Sequence, residues 1–407
     1  MRDRAQRAIA ECHRIATMSE EPGRTTRRFL TPPMRDVHAL LTSRMQALGM
    51  SVHIDAAGNL RGLWQPAKAR KPRLILGSHI DTVPDAGAFD GVLGVTLALE
   101  WVEIAHEIDL PLAIEVIAFS EEEGVRFGVP FIGSRAVAGR FDPALLSIQD
   151  KDGISVEAAI RAFGLDPAKI GDAAADVDVL GMLEIHIEQG PVLEAENLQA
   201  AAVSAIVGQT RMSLQFSGHA NHAGTTPMHL RHDALAGAAQ WITAVEALAQ
   251  RSDGLVATVG KAEVTPNAGN VIAGAVNVSL DVRHAHDAAR NAAVDALIET
   301  AEAIAARRGL KATCKRQLEQ PAVPMDERLT AFLAESIEAA GLPLKRMPSG
   351  AGHDAMVMAA RMPTAMLFLR SPGGISHHPD EAVREEDVEA ALHVGRKFLE
   401  RLAADVR

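Results

Sequence analysis

The sequence has 407 residues, 23% charged and 47% apolar, a composition that supports a large core and a length that suggests two or three domains. A net charge of −11, from 41 Lys and Arg against 52 Asp and Glu, argues against a phosphate-tracking surface, so nucleic acid is not an expected partner. Cys12 and Cys314 stand far apart and form no C-x-x-C pair, which argues against a disulfide framework or a thiolate zinc site and fits a reducing, cytoplasmic setting.

The chain opens on MRDRAQRAIAECHR, charged throughout, and no later segment approaches ~18 uninterrupted apolar residues, so neither a secretory leader nor a membrane span is expected. The first ~70 residues read as two helices and a hairpin, with helical spacing in Val37, Leu40, Leu41, Met45 and Leu48 and a turn at Ala57-Gly58-Asn59. Leu74-Ile75-Leu76 and Ala113 to Phe119 are apolar runs ending in polar residues, and Gly91 to His106 between them has helical spacing. Strand, helix, strand implies a largely parallel sheet, whose ligand sites gather at the C-terminal strand ends. From Gln209 the pattern changes. Arg211 to Phe216 alternates, Asp233 to Gln250 is helical, strands are expected at 255–259 and 275–282, and an Ala-rich helix at 287–308. After Val323 short strands return, including Thr364 to Leu369. The expected fold class is therefore α/β: a catalytic domain of residues 1–208 and 325–407, its mainly parallel sheet flanked by helices, with 209–324 inserted as a smaller α+β domain.

Five short motifs carry chemistry. Gly77-Ser78-His79-Ile80-Asp81-Thr82 leaves a strand with His79 and Asp81 facing the same way, so that one can bind a metal while the other orients it; the bland alternative is a surface histidine beside a loop-capping aspartate. Asp90 precedes the next helix, where it could simply be a cap. Ser120-Glu121-Glu122-Glu123-Gly124 sets three carboxylates at a buried strand end, where they repel and raise one another's pKa unless a cation intervenes. Glu184, His186 and Glu188 alternate onto one strand face, and Gly373 to Glu381 offers His377 and His378 in a punctuated loop. Each motif alone is weak. Together, His79, Asp90, one of the glutamates, His186 and His377 make a nitrogen and oxygen set suited to Zn²⁺, Mn²⁺, Co²⁺ or Ni²⁺, and with Asp90 bridging they can serve two three-ligand ions with positions left for water and substrate.

These motifs, with Glu121 to Phe127, His186 to Gly190 and Asn221-His222-Ala223-Gly224-Thr225-Thr226-Pro227-Met228, resemble the M20 metallopeptidase superfamily, specifically its amidase branch of N-carbamoyl-L-amino-acid hydrolases, allantoate amidohydrolases and β-ureidopropionases. The resemblance runs from Thr31-Pro32 to His377-His378-Pro379. It implies one metal on His79, Asp90 and His186 and another on Asp90, Glu123 and His377, with Glu122 as general base, Asp81 as partner of His79, and His222 as a histidine that stabilises the oxyanion. It further implies a substrate-carboxylate pocket of Gln209, Asn270 and Arg283, with the backbone of Gly350, Ala351 and Gly352 approaching the anion. The inserted domain is expected to act as lid and to pair two subunits. The implied reaction is cleavage of the ureido C–N bond of a small carboxylate, an N-carbamoyl-L-amino acid by preference and allantoate as the alternative. An aminoacylase or peptidase is disfavoured because His186 stands where those relatives place an acidic ligand. A non-catalytic binding protein of the same fold is the alternative from another class, although every expected position is filled.

Overall fold

The computed structural model describes residues 1–67, 69–176 and 178–405. The strands in chain order are β1 (Ser51–Ile54), β2 (Leu60–Trp64), β3 (Arg70–His79), β4 (Leu112–Phe119), β5 (Val179–Ile187), β6 (Ala200–Ile206), β7 (Gly208–Ser217), β8 (Val256–Thr258), β9 (Ala262–Thr265), β10 (Ala275–His284), β11 (Lys311–Gln320), β12 (Val323–Pro324), β13 (Arg346–Ser349) and β14 (Thr364–Leu369). Contacts divide the chain into two compact units, Met1–Ser204 with Met325–Arg407, and Ala205–Pro324.

In the first unit the sheet order is β1-β2-β4-β3-β5-β14-β6, with β13 also on β6. The four central strands, β4, β3, β5 and β14, run parallel, while β2 on β4 and β6 on β14 are antiparallel. A parallel centre has to be covered on both faces, and alternate residues show that it is. Leu74, Leu76, Val116 and Leu183 join the larger core with the helix Val92–Glu107, whereas Ile75, Ile117, Phe119 and Met182 pack with Met358 and Met362 on the other side. The helix Arg2–Ala16 buries Ala5, Ala8, Cys12 and Ile15, one helical stripe, and packs on Val92–Glu107. The antiparallel hairpin of β1 and β2 follows the second helix, Pro32–Ala47, as the sequence pattern indicates.

The second unit is an antiparallel sheet in the order β11-β7-β10-β8, with β9 also on β10. Strict alternation in β7 and β10 sends Met212, Leu214, Phe216, Val276, Val278 and Leu280 into a core shared with Trp241 of the helix Ala234–Arg251 and Leu297 of the helix Asp287–Arg308. Asp233 caps the first of these helices by accepting from the Leu235 and Ala236 N–H groups. Val323 and Pro324 pair with Ile206 and Ala205, so the unit's entry and exit strands lie side by side.

Candidate metal centre

The parallel register fixes the site. His79 pairs with Phe119 at the ends of β3 and β4, and Gly77 pairs with Glu184 of β5, so His79, the Ser120–Glu123 segment and His186 emerge from three adjacent strand ends. His79 Nδ1 lies 3.0 Å from the Asp81 carbonyl oxygen and 3.5 Å from Asp81 Oδ1, and His186 Nδ1 lies 2.8 Å from the Ile187 carbonyl oxygen. A carbonyl can only accept, so each Nδ1 carries a proton and each ring turns its Nε2 toward Asp90. Those two Nε2 atoms are 3.4 Å apart and lie 3.5 and 3.1 Å from Asp90 Oδ1. Asp90 Oδ2 is 3.2 Å from His377 Nε2, which is itself 3.6 Å from Glu123 Oε1.

Asp90 reaches this position because Gly91 follows it. Gly91 has φ +67°, and a Cβ there would stand 2.5 Å from the His79 ring, so the turn into the helix Val92–Glu107 passes close beneath the imidazole. The cap position of that helix is Gly91, which leaves the Asp90 side chain outside the capping role the sequence alone allowed. Asp81 does more than orient His79. Its carboxylate accepts the Glu122 N–H at 3.0 Å and the Glu123 N–H at 3.1 Å, fixing the turn that carries both glutamates.

The carboxyls of the centre are strongly perturbed, in opposite directions. Burial raises the Glu122 carboxyl well above its usual range, outweighing the attraction of His79, and burial followed by Asp90 pushes Glu123 up to about 7. Asp90 moves the other way: burial opposes ionisation, but His186, His377 and His79 hold it well below the ordinary value. Asp90 Oδ1 is nevertheless buried without a hydrogen-bond partner, the condition a metal bond would relieve. Ligand atoms of His79, Asp90 and His186 lie within 4.8 Å of one another, as do those of Asp90, Glu123 and His377. The donors are nitrogen and oxygen without sulfur, and these residues fit a divalent ion. A third group, His79, Glu122 and Glu123, has the same spacing, so Glu123 enters two groups and Glu122 only one. Glu123, the glutamate that the resemblance implies as a ligand, is the one of the three whose carboxylate lies near His377.

Residues around the centre complete it. Glu184, on the face shared with His186, accepts from Ser78 Oγ at 3.0 Å and from the Ala355 N–H at 2.7 Å. The His353 ring packs edge-on against His186 with centroids 4.5 Å apart, and His353 Nε2 is 2.9 Å from Ser349 Oγ. Ser349 Oγ also accepts the Ala351 N–H at 3.1 Å, so one amide of the Gly350-Ala351-Gly352 segment is engaged within its own turn. A Cβ at Gly350 would meet nothing, whereas at Gly352 it would approach the Phe131 ring to 3.0 Å. Glu188 caps the short turn after β5 through the Val192 and Leu193 N–H groups.

The remaining expected residues lie on the second unit. Gln209 of β7 and Arg283 of β10 are direct cross-strand partners. Asp281, which sequence reasoning passed over, joins them: it accepts from Gln209 Nε2 at 2.8 Å, from Arg283 Nε and Nη2 at 2.9 and 3.0 Å, and from Arg211 Nε at 3.1 Å. Burial would raise Asp281, yet Arg283 and Gln209 hold it below its usual value. His222 and Asn270 share another exposed corner, where His222 bridges to Val271 and the Asn270 carbonyl accepts the Ala223 N–H at 2.9 Å.

Residues 75–401 match the model of peptidase family M20/M25/M40. The chain belongs to that family. It is 38% identical to an N-carbamoyl-L-amino acid amidohydrolase of Geobacillus stearothermophilus over 93% of this chain and 94% of the relative, and 36% identical to an allantoate deiminase of Arabidopsis thaliana over 97% and 81%. Among solved structures, an amidase of the hydantoinase/carbamoylase family from Burkholderia multivorans superposes with a TM-score of 0.91 at 32% identity, covering 98% of this chain and 97% of that one. The M20 protein described here is accordingly a metal-dependent hydrolase acting on C–N bonds, and its α/β fold with a mainly parallel sheet is that of these amidases.

Proposed function

We propose that this M20 hydrolase cleaves the ureido C–N bond of a small carboxylate, an N-carbamoyl-L-amino acid by preference, with two divalent ions held by His79, Asp90 and His186 and by Asp90, Glu123 and His377. The observation that carries the reading is Asp90, whose two carboxylate oxygens face different histidines, Oδ1 toward His79 and His186 and Oδ2 toward His377. Bound divalent ions, zinc or else manganese, cobalt or nickel, supply Lewis-acid polarisation and a more acidic water. Glu122, buried and fixed through its N–H to Asp81, accepts the proton of the attacking water and returns it to the departing nitrogen. The bond from carbonyl carbon to nitrogen breaks, giving an amino acid and carbamate, which decays to ammonia and CO₂.

Arg283, with Gln209 and Asn270, is assigned to the substrate carboxylate, since a guanidinium fork matches it bidentately. The backbone of Gly350, Ala351 and Gly352 is assigned to the same anion. His222 is assigned to the developing oxyanion, and the inserted unit to lid movement and to pairing of two subunits in a cytoplasmic homodimer. Allantoate remains the second reading because relatives with that activity align over equal lengths of the chain. Ammonia release from N-carbamoyl-L-amino acids and from allantoate, measured on metal-loaded protein, decides between them; turnover of neither overturns the proposal. Mixing His222→Ala with Glu122→Gln subunits should restore activity if His222 acts across a dimer, and a dead mixture of proven heterodimers assigns it to its own chain or to no role.

A further inference from the structure

One buried carboxylate near the centre is accounted for neither by the ligand set nor by the hydrolytic chemistry. Glu381, 5% exposed, lies four residues beyond His377. Its Oε1 accepts the backbone N–H groups of both Phe89 and Asp90 at 2.9 Å, across a sequence separation of 291 residues for Asp90. Its Oε2 is 3.1 Å from Ser376 Oγ, which is also 3.1 Å from Asp90 Oδ2. The Glu381 N–H donates to the His378 carbonyl at 3.0 Å, closing the loop on itself. Space for the carboxylate is reserved on the opposite side, because a Cβ at Gly87 would stand 2.3 Å from the Glu381 Cβ.

We propose that Glu381 is a positioning residue of the metal centre, fastening the Asp90 turn to the loop that carries His377 so that one carboxylate faces both histidine groups. The inference rests on the ligand assignment above and extends it to a residue outside it. Two adjacent amide N–H groups pointing the same way need a single acceptor. Once Glu381 takes them, the Asp90 backbone is fixed relative to Ser376 and His377. Without that acceptor the two amides are left unpaired, which is costly in a buried turn, and the 87–91 turn relaxes to recover a partner. Asp90 then moves relative to His377 and the ligand distances open. Partners that orient ligands in this way are typically worth about 10–100-fold in metal affinity. Glutamine is a conservative test, because its Oε1 can still accept both amides while its Nε2 donates to Ser376 Oγ.

The experiment measures Zn²⁺ and Mn²⁺ affinity by competition with a chromophoric chelator, alongside the melting temperature of each metal-free protein. Glu381→Ala and Gly87→Ala should bind about 10–100-fold more weakly than wild type, while Glu381→Gln stays close to wild type. Should Glu381→Ala fail to fold, Ser376→Ala, which removes only the hydroxyl between the two carboxylates, carries the test: weakened binding supports the proposal and unchanged binding overturns it. A folded Glu381→Ala protein that binds both ions as wild type does overturns the proposal alone. A wild-type chain that binds neither ion overturns the ligand assignment and this proposal together.

Discussion

The two units hold their polar clusters in opposite ways. In the first, His79, Asp90 and His186 are all under 4% exposed, and each is fixed by buried groups: the Asp81 and Ile187 carbonyls, the Glu381 carboxylate and the Gly91 turn. In the second, Gln209, Arg211, Asp281 and Arg283 lie on the outward face of a sheet whose other face is the core, and the Arg211 side chain is 53% exposed. Buried charges act at low effective dielectric and lose much when one partner is removed, whereas exposed pairs are screened and worth a fraction as much. The first cluster is built for chemistry. The second suits reversible recognition, where a modest free energy per contact allows release.

Breaking the buried cluster at its proposed base should have the largest effect. Glu122→Gln is expected to retain metal by elemental analysis and to lose about 10³-fold in kcat, the usual contribution of a general base; a variant that loses its metal while Glu123→Gln keeps it would shift the assignment by one residue. Removal of metal by a chelator should abolish turnover, with recovery on adding back zinc, manganese or cobalt.

A buried group remote from the centre sharpens the point that burial, not catalysis, sets the scale. His38 packs edge-on against Phe163, with centroids 5.6 Å apart, and neither ring nitrogen has a hydrogen-bond partner. Burial, assisted by Arg35, lowers its pKa from 6.5 to about 4. The unfolded chain therefore binds a proton at a pH where the folded one does not. The stability this neutral histidine permits is fully present above pH 6.5 and lost as pH falls toward 4, by up to about 3 kcal/mol. Urea unfolding at pH 7 and pH 4.5 should show that His38→Leu loses less stability than wild type over that interval; equal losses would remove His38 from the account.

Effects on the exposed cluster should be smaller. Arg283→Ala is expected to raise KM by about 10–100-fold, the loss of one charge-assisted contact to the substrate carboxylate, with little change in kcat. Arg211→Ala, which removes one of several donors to Asp281, should change unfolding free energy by less than about 1 kcal/mol. An Arg211 effect as large as that of Glu122 would erase the contrast between the units.

Legibility in the sequence followed the same division. The run Ala113 to Phe119 is apolar except for Glu115 and all eight residues of β4 are buried, so its ends and the acidic turn after it could be read directly. Alternation made β7 and β10 equally plain. Among the strands the sequence pattern did not reveal, β6 and β11 have clear physical reasons. Strand β6 begins Ala-Ala-Ala and carries no strong β-formers beyond Val203 and Ile206, so only its neighbours make it a strand. Strand β11, rich in Lys, Arg and Gln, is an exposed edge with almost no hydrophobic pattern. In the site, residues beside a recognisable motif were found, while Glu381, Glu184 and His353 were not assigned roles. Glu184 and Glu381 stand within quoted motifs, but their roles could not be read there, because the partners of all three, Ser78, Asp90 and His186, come from distant segments that the fold brings near.

The place of β14 in that sheet bears on how the chain is made. Parallel on β5 and antiparallel on β6, it is the piece between them, yet it is translated only after the whole inserted unit. At about 5–20 residues per second, the ribosome needs roughly ten to thirty seconds to pass from Ile206 to Thr364. Throughout that interval the apolar edge of β5, Met182 to Ile187, has no partner on its β14 side. Such an edge can template pairing with other chains until β14 docks on it. The inserted unit, complete by Pro324, is free to finish folding while its host still waits for the strand that closes it.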